Sequence, residues 1–163
     1  MLIGFDFHGV LDTYEVFREL TGILVSNGHE VHIITGEENS NFFRKTLKNL
    51  NVKYTKIFSI TSYHKKKGTP VDYDKNGQWM DKELWNKTKA NYCKRNKINF
   101  HIDDSLEYGL HFTTPFVFIQ PLTDLESFRW KLYLKDYICA EGEIYGKDLI
   151  NFIRMFTKLK RKK

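Results

Sequence analysis

The sequence predicts an α/β fold built on a mostly parallel sheet, and three observations support this prediction. The chain has 163 residues, enough for one domain with a substantial core. Short apolar runs of strand length alternate with longer segments in which apolar residues recur at helical spacing. The connections between them are short, which favours right-handed crossovers between parallel strands. We therefore expect a single domain over residues 1–163.

The N-terminal part of the chain predicts the order strand, helix, strand, helix, strand. After the first apolar run, Thr13 is a suitable helix cap, and Phe17 and Leu24 then lie on one helical face before Gly28 ends the helix. Ser40 begins a second amphipathic segment. We predict strands over residues 2–7, 30–34 and 54–60, and helices over residues 14–27 and 40–50.

A different pattern follows the third strand. Residues 68–80 predict a small β-hairpin around an Asn76-Gly77 turn, just after the basic loop 65–67. The hairpin is either a flap near a site or a plain surface hairpin. Asp81 then begins a helix that runs to about Asn96, and strands are predicted over residues 100–102 and 116–119.

The C-terminal part predicts helices over residues 124–157. Thr123 and Glu126 have the spacing of a capping box, which predicts a helix over residues 125–137. A last helix is indicated by an apolar stripe at helical spacing, which consists of Leu149, Phe152, Ile153 and Phe156.

The charge and cysteine content indicate which partners and which cellular compartment are expected for the protein. Five of its six net positive charges lie in the tail 158–163, so the rest of the chain is near +1, six minus five. The tail is either a solvated end or a weak contact for nucleic acid. Cys93 and Cys139 show no metal-ligand spacing and indicate free thiols in a reducing compartment. With no membrane-length apolar run, we expect a soluble, cytoplasmic protein.

Polar residues follow three of the predicted strands. Asp6 and His8 come after the first strand, Thr35 after the second, and Asp103 with Asp104 after the strand that begins at residue 100. Because the carboxyl ends of parallel strands share one edge of a sheet, these side chains should converge there. Gly9 allows a sharp turn beside Asp6 and brings backbone N–H groups close to a ligand.

These motifs resemble those of the haloacid dehalogenase-like (HAD) phosphatase superfamily. The run from Asp6 to Leu11 is similar to its first motif, Asp-x-Asp-Gly-Thr/Val-hydrophobic, with His8 in place of the second Asp. Thr35 and the Asp103-Asp104 pair resemble the second and fourth motifs. Lys89 fits the third motif best, with Lys87 and Lys94 as rivals. The resemblance covers about residues 1–120.

The resemblance implies a three-layer α/β/α fold with a Rossmann-like, HAD-like sheet. It also implies a Mg²⁺-dependent phosphomonoester hydrolase that forms an aspartyl-phosphate on Asp6. His8 would be the general acid and base, since imidazole can serve both roles near neutral pH. Thr35 and Lys89 would contact the phosphoryl group, beside Gly9 and Gly36 in the substrate site.

The same resemblance implies the metal ligands. Mg²⁺ would be held by Asp6, by the backbone carbonyl of His8, and by Asp103 or Asp104. Without the positive charge of Lys89, binding an anionic phosphate among these carboxylates would be unfavourable.

The substrate remains open between a phosphorylated small molecule, a nucleotide and a nucleic-acid end. Few residues separate Asp6 from the first helix, which leaves no room there for a large cap domain. The aromatic residues near the hairpin either stack on a base or pack the hairpin onto the body; they are Tyr63, Tyr73, Trp79 and Trp85. Two other functions fit the sequence. One is a binding module that has lost catalytic turnover through the replacement of the second Asp by His8, and the other is a nucleic-acid-binding protein that uses the basic tail.

Overall fold

The computed structural model describes residues 1–74, 77–122, 127–135 and 137–145. It has an α/β fold with one mixed seven-stranded sheet and one two-stranded hairpin. Five strands of the large sheet are parallel and run in the order β3-β2-β1-β6-β7, and two antiparallel strands, β8 and β9, follow at one edge. The strands are β1 Leu2–Phe5, β2 Glu30–Thr35, β3 Lys56–Ser59, β4 Asp72–Asp74, β5 Gly77–Trp79, β6 Phe100–Asp103, β7 Phe116–Pro121, β8 Phe128–Leu134 and β9 Tyr137–Ile144.

The helices begin close to where the sequence predicts them, with one correction. Ser40 and Asp81 cap their helices, because their side chains accept hydrogen bonds from the backbone N–H of Phe43 and Leu84. Thr13 does not cap the first helix; its hydroxyl donates to Asp12 at 3.0 Å instead. Two short helices, α3 and α5, were not predicted. The helices are α1 Glu15–Ser26, α2 Asn41–Asn49, α3 Ile60–Lys66, α4 Lys82–Arg95 and α5 Leu106–Gly109.

The buried side chains form two clusters, and neighbouring strand residues contribute to different ones. In β7, Val117 and Ile119 belong to the larger cluster, whereas Phe116 belongs to the smaller one. Helices α1 and α2 pack into the larger cluster, and α4 packs into the smaller one. This alternation is expected for strands whose successive side chains point to opposite faces of a sheet.

The predicted hairpin is present. Strands β4 and β5 pair in antiparallel register, with Asp72 opposite Trp79 and Asp74 opposite Gly77. Residues 75 and 76, which include the Asn76 of the predicted turn, lie outside the described residues.

The predicted helix over residues 125–137 is wrong where the structure describes that segment. Residues Phe128–Leu134 form β8, which pairs with β7 and β9. Because β9 spans Tyr137–Ile144, the prediction of helices over residues 124–157 is wrong for that segment as well. Burial alternates along β8: Phe128, Trp130 and Leu132 are buried, and the residues between them are more exposed. This two-residue period fits a strand with one face on the core. The capping-box residues 123–126 and the predicted last helix lie outside the described residues.

None of the helices in the described parts of the chain is long and apolar enough to cross a lipid bilayer.

His64 joins α3 to α4 through a buried hydrogen bond. Its Nε2 lies 2.9 Å from the hydroxyl of Thr88, the residue before Lys89. That hydroxyl donates to the carbonyl of Leu84, so it accepts from His64, and the ring carries its proton on Nε2. Burial, followed by the positive charge of Lys67, lowers the pKa of His64. The imidazole is therefore neutral where it holds the two helices together.

We predict that His64 makes the fold sensitive to acid. Its pKa is lower in the folded state than the unfolded value of about 6.5. Below that pH the unfolded chain binds more protons, so stability should fall by up to about 1.4 kcal/mol per pH unit. Urea unfolding of the wild type and His64→Gln at pH 7.5, 6.5 and 5.5 measures this effect. The wild type should lose more stability than the variant on acidification, and parallel losses would contradict the prediction.

Candidate active site

A buried ion cluster lies where β1 and β6 end. The Nζ of Lys89 is 2.9 Å from Asp6 Oδ2 and 2.8 Å from Asp103 Oδ2. Lys89 is 1% exposed, and both carboxylates are buried as well. An ammonium group removed from water in this way requires close counter-charges, and the two carboxylates supply them.

The parallel sheet explains how the two carboxylates meet. Strands β1 and β6 are neighbours, and the backbone N–H of Asp6 donates to the carbonyl of Ile102 at 2.9 Å, which extends the pairing to the strand end. Asp6 and Asp103 therefore leave adjacent strands at the same edge. This confirms the expectation that the polar strand ends of β1 and β6 converge.

The cluster shifts the pKa values of its members in different directions. Burial alone would lower the pKa of Lys89, but the charges of Asp103 and Asp6 outweigh it and raise that pKa above its ordinary value. Burial would raise the pKa of Asp103, but Lys89 and His101 hold it below its ordinary range. For Asp6, burial dominates and raises the pKa to about 7. Of the two carboxylates that contact Lys89, Asp6 is thus the one with a raised pKa.

A third carboxylate, Asp104, lies beside the cluster. One oxygen each of Asp6, Asp103 and Asp104 lie within 4.8 Å of one another, close enough to share a metal ion. Gly9 makes this approach feasible: its φ is +67°, and an added Cβ would lie 1.9 Å from Asp104 Oδ2. Any larger residue at position 9 would displace the Asp104 carboxylate.

His8 is exposed and held by two carboxylates. Its Nδ1 lies 3.0 Å from Asp12 Oδ2, and its Nε2 lies 2.8 Å from Glu37 Oε1. The hydrogen bonds to Asp12 and then Glu37 raise the pKa of His8 to about 10, although 58% of the side chain is exposed. The pKa of His8 is therefore well above the near-neutral pKa of a free histidine, and the ring is an imidazolium at neutral pH.

A cleft of about 610 Å³ opens above the cluster. Five of the predicted site residues line it: Asp6, His8, Gly36, Lys89 and Asp104. The other lining residues that the structure describes are Glu37, Met80, Lys82, Trp85, Asn86, Ser105, Glu107 and Tyr108.

Three of the predicted residues are not among the described residues that line the cleft: Gly9, Thr35 and Asp103. Thr35 is fully buried at the end of β2, and its hydroxyl accepts from the N–H of Glu37 at 3.1 Å. That the backbone carbonyl of His8 binds a metal ion stays a prediction. Of the three candidate lysines, Lys89 is the one that contacts Asp6 and Asp103, whereas Lys87 and Lys94 are exposed.

Sequence reasoning missed several residues that support the site. His101 contacts Asp103 Oδ2 at 3.0 Å, and the ring of Tyr108 lies 4.1 Å from Lys89 Nζ. Asp12 follows His8 by four residues and Glu37 directly follows the predicted Gly36, so both stood next to recognised motifs. Tyr108 had no such signal.

No protein-family model matches the chain, and comparison with curated proteins found no match. The chemistry of the site therefore has to be inferred from its own residues.

We predict that Lys89 is required for stability in a way that exposed lysines on α4 are not. Lys89→Met leaves two buried carboxylates without their counter-charge and should cost about 3–5 kcal/mol. Lys87→Met, which removes an exposed pair with Glu83 on the same helix, should cost about 0.5 kcal/mol or less. Urea unfolding in the presence of EDTA compares them; equal losses would contradict the burial argument.

Proposed function

We propose that the protein is a Mg²⁺-dependent phosphomonoester hydrolase that works through an aspartyl-phosphate on Asp6. One observation carries the proposal: Lys89 is buried between Asp6 and Asp103 at the floor of an open cleft, with Asp104 beside them. The substrate is a phosphorylated small molecule, a nucleotide or a nucleic-acid end.

The residues at the site fit Mg²⁺. Three carboxylates offer oxygen ligands, which hard divalent cations prefer, and Lys89 compensates fewer charges than they carry. The carboxylate of Asp104 also lies in a space beside Gly9 that a Cβ at that position would fill. We propose Asp6, Asp103 and Asp104 as ligands, with the His8 carbonyl as a further one. A bound Mg²⁺ would supply positive charge that offsets the repulsion between these carboxylates and a phosphate.

In the first chemical step, a carboxylate oxygen of Asp6 attacks the phosphorus and the bond to the leaving oxygen breaks. Asp6 is suited to this because its backbone and Lys89 contacts fix its orientation: Oδ1 accepts from the N–H of Phe7 at 2.8 Å, and Oδ2 contacts Lys89. Lys89 offsets negative charge as it builds up on the phosphoryl group.

His8 protonates the leaving oxygen. Its raised pKa means that it begins the reaction as a proton donor. Both ring nitrogens contact carboxylates, so one contact, to Asp12 or Glu37, is exchanged for the leaving oxygen. The neutral imidazole that remains is a stronger base than a free histidine. The imidazole then takes a proton from a water molecule as that water attacks the phosphorus. The bond between phosphorus and the Asp6 oxygen breaks, which releases phosphate and regenerates free Asp6.

We also propose the finer fold assignment, a three-layer α/β/α arrangement of the HAD-like type. Two buried clusters that draw on alternate strand residues support it, since α1 and α2 belong to one cluster and α4 to the other. The free thiols Cys93 and Cys139 support the proposal of a reducing, cytoplasmic setting.

One observation favours a second candidate, a binding module without turnover. His8 is held on both ring nitrogens, which is also what a residue with a purely structural role would show. The nucleic-acid alternative depended on residues 158–163, which lie outside the described part of the chain.

We predict Mg²⁺-dependent release of phosphate that is lost in Asp6→Asn. His8→Ala should reduce the rate by about 100-fold or more for an alkyl phosphate, because its leaving group needs a proton. The loss should be smaller for 4-nitrophenyl phosphate, whose leaving group is a weaker base. EDTA should abolish release and added Mg²⁺ should restore it.

The matched control is Asp72→Asn, an exposed aspartate on β4 that should retain the wild-type rate. A fully active Asp6→Asn would exclude Asp6 as the nucleophile. Mg²⁺ binding without hydrolysis of any phosphate ester would favour the binding module.

A further inference from the structure

The cleft is larger than a phosphoryl group needs. Asp6, Lys89 and Asp104 lie together on one part of its lining, and the whole cavity measures about 610 Å³. Pockets of this size hold small organic molecules. If the phosphate binds at the charged residues, the rest of the substrate must lie against the remaining lining.

Two aromatic side chains form one wall of this remaining space. Trp85 of α4 and Tyr108 of α5 both line the cleft, and both are partly exposed. The indole Nε1–H of Trp85 donates to the Tyr108 hydroxyl at 2.8 Å, so the two rings are joined. We call Trp85 and Tyr108 the aromatic wall.

The aromatic wall is fixed in position before any ligand binds. Tyr108 is tied to the charged floor because its ring centroid lies 4.1 Å from Lys89 Nζ. Trp85 lies so close to Gly36 that a Cβ there would be 2.6 Å from the indole ring. Contacts on two sides therefore hold the indole, and a ligand that stacks on it gives up little side-chain entropy. This also gives Gly36 a role in placing the wall.

The lining next to the wall suits a planar, polar ring. Asn86 follows Trp85 on α4 and also lines the cleft, and its amide offers both a donor and an acceptor. A nucleobase has a face that stacks on aromatic side chains and an edge that forms hydrogen bonds. A simple sugar phosphate has no flat π-face, so it gains less from a preformed aromatic wall than a nucleobase does.

We infer that the aromatic wall binds a nucleobase, so that the substrate is a nucleotide phosphomonoester with its phosphate at Asp6 and Lys89. This inference rests on the proposed function and narrows its substrate class. The nucleotide is either free or the terminal residue of a strand, and the recognition chemistry is the same for both.

The test compares two ligands that share one phosphate ester: adenosine 5′-monophosphate and ribose 5-phosphate. The Kd of each is measured by calorimetry on Asp6→Asn with Mg²⁺, and kcat/KM on the wild type. The nucleotide should be favoured by about tenfold or more, the size expected for one stacked base. Trp85→Leu should remove this preference, because it should weaken the binding and turnover of the nucleotide far more than those of ribose 5-phosphate. Trp85→Phe, which keeps an aromatic face, should restore most of the preference.

Leu84→Ala is the matched control, because Leu84 is an exposed neighbour on α4 outside the cleft lining. It should retain the full preference. Equal affinity and turnover for the two ligands would overturn the inference, as would an equal loss of both in Trp85→Leu. Dinucleotides with a terminal 5′- or 3′-phosphate, compared with the mononucleotide, distinguish a strand end from a free nucleotide.

The two proposals fail in different ways. Hydrolysis of 4-nitrophenyl phosphate with no preference for the nucleotide would keep the hydrolase and reject the base site. Nucleotide binding that depends on Trp85, without hydrolysis of any ester, would reject the hydrolase and keep the base site.

Discussion

The burial of Lys89 between Asp6 and Asp103 is the interaction on which the rest of the site depends. A charged ammonium group without water is tolerated only when its counter-charges are close and well placed, and here both lie within 2.9 Å. Three elements must therefore keep a fixed geometry: the ends of β1 and β6, and the middle of α4. His101 and Ser105 hold Asp103, and the ring of Tyr108 covers Lys89. Any loss of register between these elements would leave a buried charge unpaired.

The arrangement leaves an excess of negative charge at the floor of the cleft. Lys89 neutralises one carboxylate, while Asp6, Asp103 and Asp104 all have an oxygen within 4.8 Å of the others. Burial raises the pKa of Asp6 to about 7, because the contact with Lys89 does not fully offset the loss of hydration. A divalent cation would add positive charge and favour the ionised form of Asp6, which the proposed nucleophile requires. The three carboxylates and the single lysine thus favour the binding of a cation at this place.

The sequence predicted the parallel core well because its strands are short apolar runs that end in polar residues. That pattern brought Asp6 and Asp103 to neighbouring strand ends, as the structure shows. The sequence favoured Lys89 but left Lys87 and Lys94 as rivals, because only the structure shows which face of the helix is buried. The helix predicted over residues 125–137 was wrong. The prediction gave too much weight to the capping-box spacing and too little to Phe128, Trp130 and Leu132, which recur every second residue as in a strand.

Contacts between residues that are far apart in the chain were the hardest feature of the site to predict from the sequence. Asp12 lies four residues after His8 and could have been considered, but the contact between His8 and Glu37 depends on the packing of β2 beside β1. Tyr108 reaches Lys89 through a short helix that has no clear signal in the sequence. The contacts with Asp12 and Glu37 change the expected chemistry of His8, because they raise its pKa to about 10.

Trapping the covalent intermediate tests the central claim most directly. The wild type is mixed with substrate and Mg²⁺, quenched, and treated with borohydride, which reduces an acyl phosphate to an alcohol. Mass spectrometry of two tryptic peptides, residues 1–18 and residues 98–129, then locates the modified residue. We predict homoserine at position 6, dependent on substrate and Mg²⁺, with Asp12 in the peptide 1–18 unchanged. Reduction at Asp12 or Asp104, or turnover with no reduced aspartate, would contradict it.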